Sequence, residues 1–122
     1  MASVTPWLQV ADADAALEFY RRAWGAVVLE QLDDDGHVAV ALLSVDGAEF
    51  WVQSGGHAAA DAPDDPPVRM ILTVADPHAA HASAVAAGAT EIFAVGEGNG
   101  WLVGRLADPS GHHWEVGHRL TD

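Results

Sequence analysis

Asp108-Pro109-Ser110-Gly111-His112-His113-Trp114-Glu115 is a turn signal running straight into a short strand that ends on a carboxylate. Proline presets one backbone angle and glycine accepts a positive one, so Asp-Pro-Ser-Gly predicts a tight reversal. Beyond it, period-two alternation sends His113 and Glu115 to one face of the strand and His112, Trp114 and Val116 to the other. A carboxylate held by a strand in a half-buried sheet needs a partner: a cation, a metal or a polar ligand.

Working outward, the chain repeats itself. Thr5–Val10 reads as a strand. Asp12 then caps a helix over Ala13–Trp24, with Asp14 in its first turn, Arg21 and Arg22 in its last, and Gly25 at the left-handed terminating position. Strands follow at Ala26–Leu32, His37–Val45 and Ala48–Ser54, separated by Asp33-Asp34-Asp35-Gly36 and Asp46-Gly47. After the alanine-, acid- and proline-rich stretch 55–67, Val68–Ala75 reads as a strand, Asp76-Pro77 opens a helix that Gly88 ends, and strands follow at Thr90–Val95, Trp101–Ala107 and His112–His118. An offset of 64 residues superposes Val10-Ala11-Asp12 on Val74-Ala75-Asp76. The expectation is an internal duplication: an α+β fold of two βαβββ modules, residues 1–54 and 68–122, joined by a linker at 55–67.

Composition removes several function classes. Among 122 residues, half of them apolar, there is no cysteine, which excludes disulfides, thiolate metal sites and cysteine nucleophiles. Eighteen acids face five arginines and no lysine, a formal net charge of −13. Such a field repels nucleic acid and anionic membranes and raises the local concentration of small cations. No window suggests a membrane span or a leader, so cytoplasmic residence is the expectation. Nucleophile elbows, phosphate loops and dinucleotide fingerprints are absent from the sequence.

The residues resemble the vicinal oxygen chelate superfamily, which includes glyoxalase I, extradiol dioxygenases and bleomycin-resistance proteins. The resemblance rests on Val10-Ala11-Asp12 with Ala15-Ala16-Leu17-Glu18-Phe19-Tyr20 and Trp24-Gly25-Ala26, on Val74-Ala75-Asp76 with Ala86-Ala87-Gly88-Ala89, and on Gly104-Arg105-Leu106 with the terminal turn and strand. It is closest in kind to the small, PhnB-like members. It implies cup-shaped mixed sheets forming a barrel-like cavity, commonly in a homodimer that sometimes exchanges modules between chains. It also implies four metal-ligand positions, which fall here on Thr5, Trp51, Arg69 and Glu115. Only Glu115 has a ligand-type side chain, so neither a divalent metal nor any other cofactor is expected.

Alternation places Thr5, Trp7, Gln9, Glu49, Trp51, Gln53, Arg69, Ile71, Thr73, His113 and Glu115 in the cups, opposite an apolar helix-packed face. Arg69 and Glu115, at equivalent places in the layout, are expected to form an ion pair. Trp24 and Trp114 read as core. Trp101 follows Gly96-Glu97-Gly98-Asn99-Gly100, a stretch that reads as a lid. The expected ligand-binding set is Trp7, Gln9, Trp51, Gln53, Arg69, Ile71, Trp101, His113 and Glu115, with an aromatic or cationic small molecule as partner. The leading expectation is metal-independent sequestration of that ligand, as in drug-resistance relatives. The alternative is a glyoxalase-like lyase, isomerase or dioxygenase that uses displaced metal ligands, or Glu115 with His113 as a metal-free acid–base pair. A third is that one cup is vestigial and the chain acts only as an oligomeric partner.

Overall fold

The computed structural model describes residues 2–55, 66 and 68–120. Apart from Gly55 and Pro66, the expected linker lies outside them. The elements are β1 (Trp7–Val10), α1 (Ala13–Trp24), β2 (Val27–Asp34), β3 (His37–Val45), β4 (Ala48–Ser54), β5 (Met70–Thr73), α2 (Pro77–Ala86), β6 (Thr90–Gly98), β7 (Trp101–Ala107) and β8 (His113–Arg119).

Both helices start where the sequence places them. Asp12 accepts from the Ala15 amide at 3.2 Å and Asp76 from the Ala79 amide at 3.1 Å, each satisfying an otherwise orphaned N–H. Gly25 ends α1 at φ 69°, donating to the Arg21 carbonyl. β1 starts two residues later than expected, just after Pro6, which has no N–H to give a ladder.

The eight strands form two four-stranded sheets with the same order, β1-β4-β3-β2 and β5-β8-β7-β6, in each of which the edge strand β1 or β5 runs parallel to its neighbour and the other pairs are antiparallel. The repeat extends to register: Trp7 pairs with Trp51 in the first sheet, and their counterparts at the 64-residue offset, Ile71 and Glu115, pair in the second. One face of each sheet packs beneath the helices through Leu8, Val10, Leu43, Phe50 and Val52 in the first module, and Leu72, Leu106, Trp114 and Val116 in the second, all buried. The other face, here called the open face, is half-exposed. The two sheets do not close into a barrel within the chain.

The modules meet through an aromatic cluster. Trp114 from β8 lies 4.9 Å from Trp24, 5.1 Å from Phe50 and 5.6 Å from Tyr20, centroid to centroid. Such contacts add to the area that large rings bury. Trp24 also donates its indole N–H to the Ala80 carbonyl on α2 at 3.2 Å. The core roles expected for Trp24 and Trp114 are therefore met.

Three hairpins turn on two residues with positive φ, namely Asp35-Gly36, Asp46-Gly47 and Asn99-Gly100. This is the turn geometry whose twist matches the flanking strands. The third overturns the expected lid. β6 runs on to Gly98 and pairs with Trp101, so residues 96–98 are ladder rather than loop. Glycine composition suggested flexibility there, but Asn-Gly at the tip fixes a hairpin.

Candidate ligand-binding site

The terminal stretch does two jobs. Its turn is organised by Asp108, 3% exposed, whose Oδ1 accepts from the amides of Ser110 (3.0 Å) and His112 (2.9 Å). Its Oδ2 accepts from the Trp114 indole at 2.9 Å and from the Tyr20 hydroxyl on α1. Four donors satisfy a buried carboxylate and tie the turn to the other module. Burial, and then the Asp108 charge, push the pKa of the Tyr20 hydroxyl well above its ordinary value of 10.

From this anchored turn β8 runs out with Glu115 on the open face. The expected pair forms: Arg69 Nε lies 2.8 Å from Glu115 Oε2. Sequence reasoning missed a second guanidinium. Arg105 on β7, directly opposite Glu115 in register, places Nη2 at 2.9 Å and Nε at 3.2 Å from the same oxygen. Period-two alternation along β7 gives the signal that would have found it, since Leu102, Gly104 and Leu106 take one face and Trp101, Val103 and Arg105 the other. Glu115 is 13% exposed at its side chain, Arg105 16% and Arg69 42%, so the cluster is sunk in the sheet with Arg69 at its rim.

A groove of about 370 Å³ opens over this cluster, lined by Arg69, Ile71, Gly98, Asn99, Trp101, Val103 and Glu115. Arg119, next on the open face beyond Gly117, stacks its guanidinium 5.5 Å from the Trp101 ring. Four of the nine expected site residues, Arg69, Ile71, Trp101 and Glu115, thus share one groove. His113 is 4% exposed and is not among the groove's lining residues.

Trp7, Gln9, Trp51 and Gln53 are held apart on the first sheet. Trp7 and Trp51 stack at 5.5 Å, and the Trp7 indole donates to Gln53 Oε1 at 2.9 Å. Trp7 is 50% exposed, so this pair forms an aromatic platform on its own open face. A second groove, about 400 Å³, runs between the modules along Val4, Pro6, Ala48, Phe50, Arg69 and Met70, making Arg69 a wall of both.

Chemistry decides whether the four implied metal positions fit a divalent cation. Thr5 offers a weak oxygen donor, Trp51 none, Arg69 a positive charge, and the one carboxylate among them has its Oε2 engaged by two guanidiniums. The set does not fit. Nor do three histidine or acidic side chains converge elsewhere in a metal-holding arrangement among the described residues.

The fold matches known proteins. A family model for the glyoxalase-like domain matches residues 6–117, and the chain belongs to that family. An uncharacterised protein of Mycobacterium bovis is 34% identical over 98% of this chain and 85% of its own length. Among solved structures, the fosfomycin resistance protein FosX of Listeria monocytogenes superposes with a TM-score of 0.77 at 11% identity, covering 97% of this chain and 93% of that one. A glyoxalase/bleomycin resistance protein/dioxygenase family enzyme of Burkholderia phytofirmans does so with 0.74 at 19% identity, covering 93% and 95%. At these identities the structural likeness carries the fold alone.

Proposed function

We propose that this protein is a metal-independent small-molecule binding protein of the cytoplasm, sequestering a planar aromatic ligand at its open sheet faces. The observation that carries the reading is the capture of Glu115 by Arg69 and Arg105 beside Trp101, where metal-dependent relatives are expected to place a cation. A carboxylate so engaged serves to organise a binding floor rather than to coordinate a metal. Burial of His113 away from the groove weighs against the acid–base alternative. Titration of intrinsic tryptophan fluorescence with planar aromatic compounds tests the reading, because Trp101 lines the groove and Trp7 and Trp51 form the platform. Saturable quenching is expected; a flat response to every compound would refute it. A stoichiometric transition metal that disappears in Glu115→Ala would instead favour a glyoxalase-like lyase, isomerase or dioxygenase.

The working form is proposed to be a homodimer in which the open face of one module meets the unlike module of a second copy. Val27, Leu32, Ile71 and Phe93 are each between 43% and 65% exposed, an apolar load that a second copy would cover. The faces are also complementary in charge, with Glu30 and Glu49 on strands of the first sheet and Arg69, Arg105 and Arg119 in the second module. Sedimentation at twice the monomer mass is the expected result, and a monomer at micromolar concentration would overturn it.

A further inference from the structure

We infer that the groove on the second sheet recognises the carboxylate of a planar aromatic acid, with Arg69 as the anion-binding side chain. This deepens the small-molecule reading and depends on it.

The local charge is opposite in sign to that of the molecule. The chain carries a net −13 with only five basic side chains, yet Arg69, Arg105 and Arg119 all belong to the second module's open face or its rim. Two guanidiniums converge on a single oxygen of Glu115, so these three groups together carry one positive charge more than negative. Arg69 approaches Glu115 through Nε, and no described residue hydrogen-bonds its Nη atoms. A guanidinium is a planar fork of five donors whose edges match a carboxylate two bonds at a time. With the Nε side engaged, the remaining edge stays available at a side chain 42% exposed on the groove wall. Glu115 fixes the plane of that fork, so less freedom is lost when an anion docks.

The rest of the groove suits an aromatic body. Trp101, Ile71 and Val103 provide ring and aliphatic surface, and Arg119 braces Trp101 from its own stacking position. A ligand with a flat apolar end and a carboxylate end meets both features at once. A cation, favoured by the acidic field at long range, would meet the guanidiniums on arrival.

Isothermal titration calorimetry at pH 7.5 with three matched probes tests this: 2-naphthoate, its neutral isostere 2-naphthamide, and naphthalen-2-ylmethylammonium. Naphthoate is expected to bind at least tenfold tighter than naphthamide, and the ammonium weakest. In Arg69→Gln the naphthoate-to-naphthamide affinity ratio should collapse towards one, whereas Arg22→Gln, on the exposed end of α1, should keep it. A urea midpoint confirms that each variant is folded. Equal binding of naphthoate and naphthamide, preference for the ammonium, or an unchanged ratio in Arg69→Gln would overturn anion recognition and leave the aromatic-ligand reading standing. Failure of all three probes to bind would overturn both.

Discussion

Replacing Tyr20 by phenylalanine isolates one of the hydrogen bonds that link the two modules. The ring is 1% exposed and contacts Phe50, Trp24 and Trp114, all of which phenylalanine preserves. Only the hydroxyl is lost, and with it one of four donors to the buried Asp108 carboxylate. A hydrogen bond to a charged group contributes about 1.5–3 kcal/mol, so a loss of about 2 kcal/mol is expected. For a chain of this size that lowers the thermal midpoint by roughly 6–12 °C. The alkaline limb gives a second, independent readout. Tyr20 has a folded pKa raised above its unfolded value, so its contribution is complete below pH 10 and is lost as pH rises through the folded value. The wild type should therefore lose about 1.4 kcal/mol per pH unit just above pH 10, and Tyr20→Phe should not. The composition makes the measurement clean: the chain has one tyrosine, no cysteine and no lysine. Urea denaturation followed by far-ultraviolet circular dichroism at pH 7, 10 and 11 supplies both numbers. A destabilisation at pH 7 under about 0.5 kcal/mol, far below the charged-bond range, would refute the argument. So would parallel alkaline slopes.

Other perturbations follow from the same geometry. Gly117→Ala would place a Cβ 2.5 Å from the Leu102 carbonyl oxygen and 2.9 Å from Val103 Cβ, so chemical denaturation should show a loss of about 3 kcal/mol or an insoluble product. Glu115→Ala leaves Arg69 and Arg105 facing each other without their shared carboxylate. With Arg69 partly screened by solvent, a loss of about 1–2 kcal/mol is expected, partly recovered in 1 M salt. Gly100→Ala imposes a side chain at φ 82° in the Asn99-Gly100 turn and should cost about 1–2 kcal/mol in a thermal melt. Because the implied ligand positions do not fit a cation, added Mn²⁺ or Ni²⁺, or EDTA, should leave the thermal midpoint within about 1 °C; a metal-dependent rise would contradict that chemistry.

Local patterns made much of this molecule legible. Asp12 and Gly25 bound α1 because caps are written in the residues that satisfy orphan amides and carbonyls. The pairing of Arg69 with Glu115 followed from the ligand positions that the family resemblance implies, which bring together residues far apart in sequence. Asp108 shows where such reading stops. Its turn was visible, but its partner Tyr20 lies 88 residues away on an element whose own period says only that the ring faces inward. Arg105 is legible to the alternation rule, since it shares one face of β7 with Trp101 and Val103. The division of the expected site between Trp7, Gln9, Trp51 and Gln53 on one sheet and Arg69, Ile71, Trp101 and Glu115 on the other depends on how the modules pack, which strand periodicity does not encode.

The tie between Tyr20 and Asp108 also bears on how such a chain can be recombined. Phe50 and Trp114 are counterparts at the repeat offset and touch each other, as two copies of one module would across a shared axis. Tyr20 and Asp108 have no such symmetry. The counterpart of Tyr20 is Ala84, and the residue placed like Asp108 at the end of the matching strand is Val45. Each half has therefore become the specific complement of the other. Joining two copies of either half would bring together a pair of surplus hydroxyls or a pair of buried carboxylates without their phenol. Exchange of one half with a relative's preserves the join only when the donor of that hydrogen bond and its acceptor are inherited together.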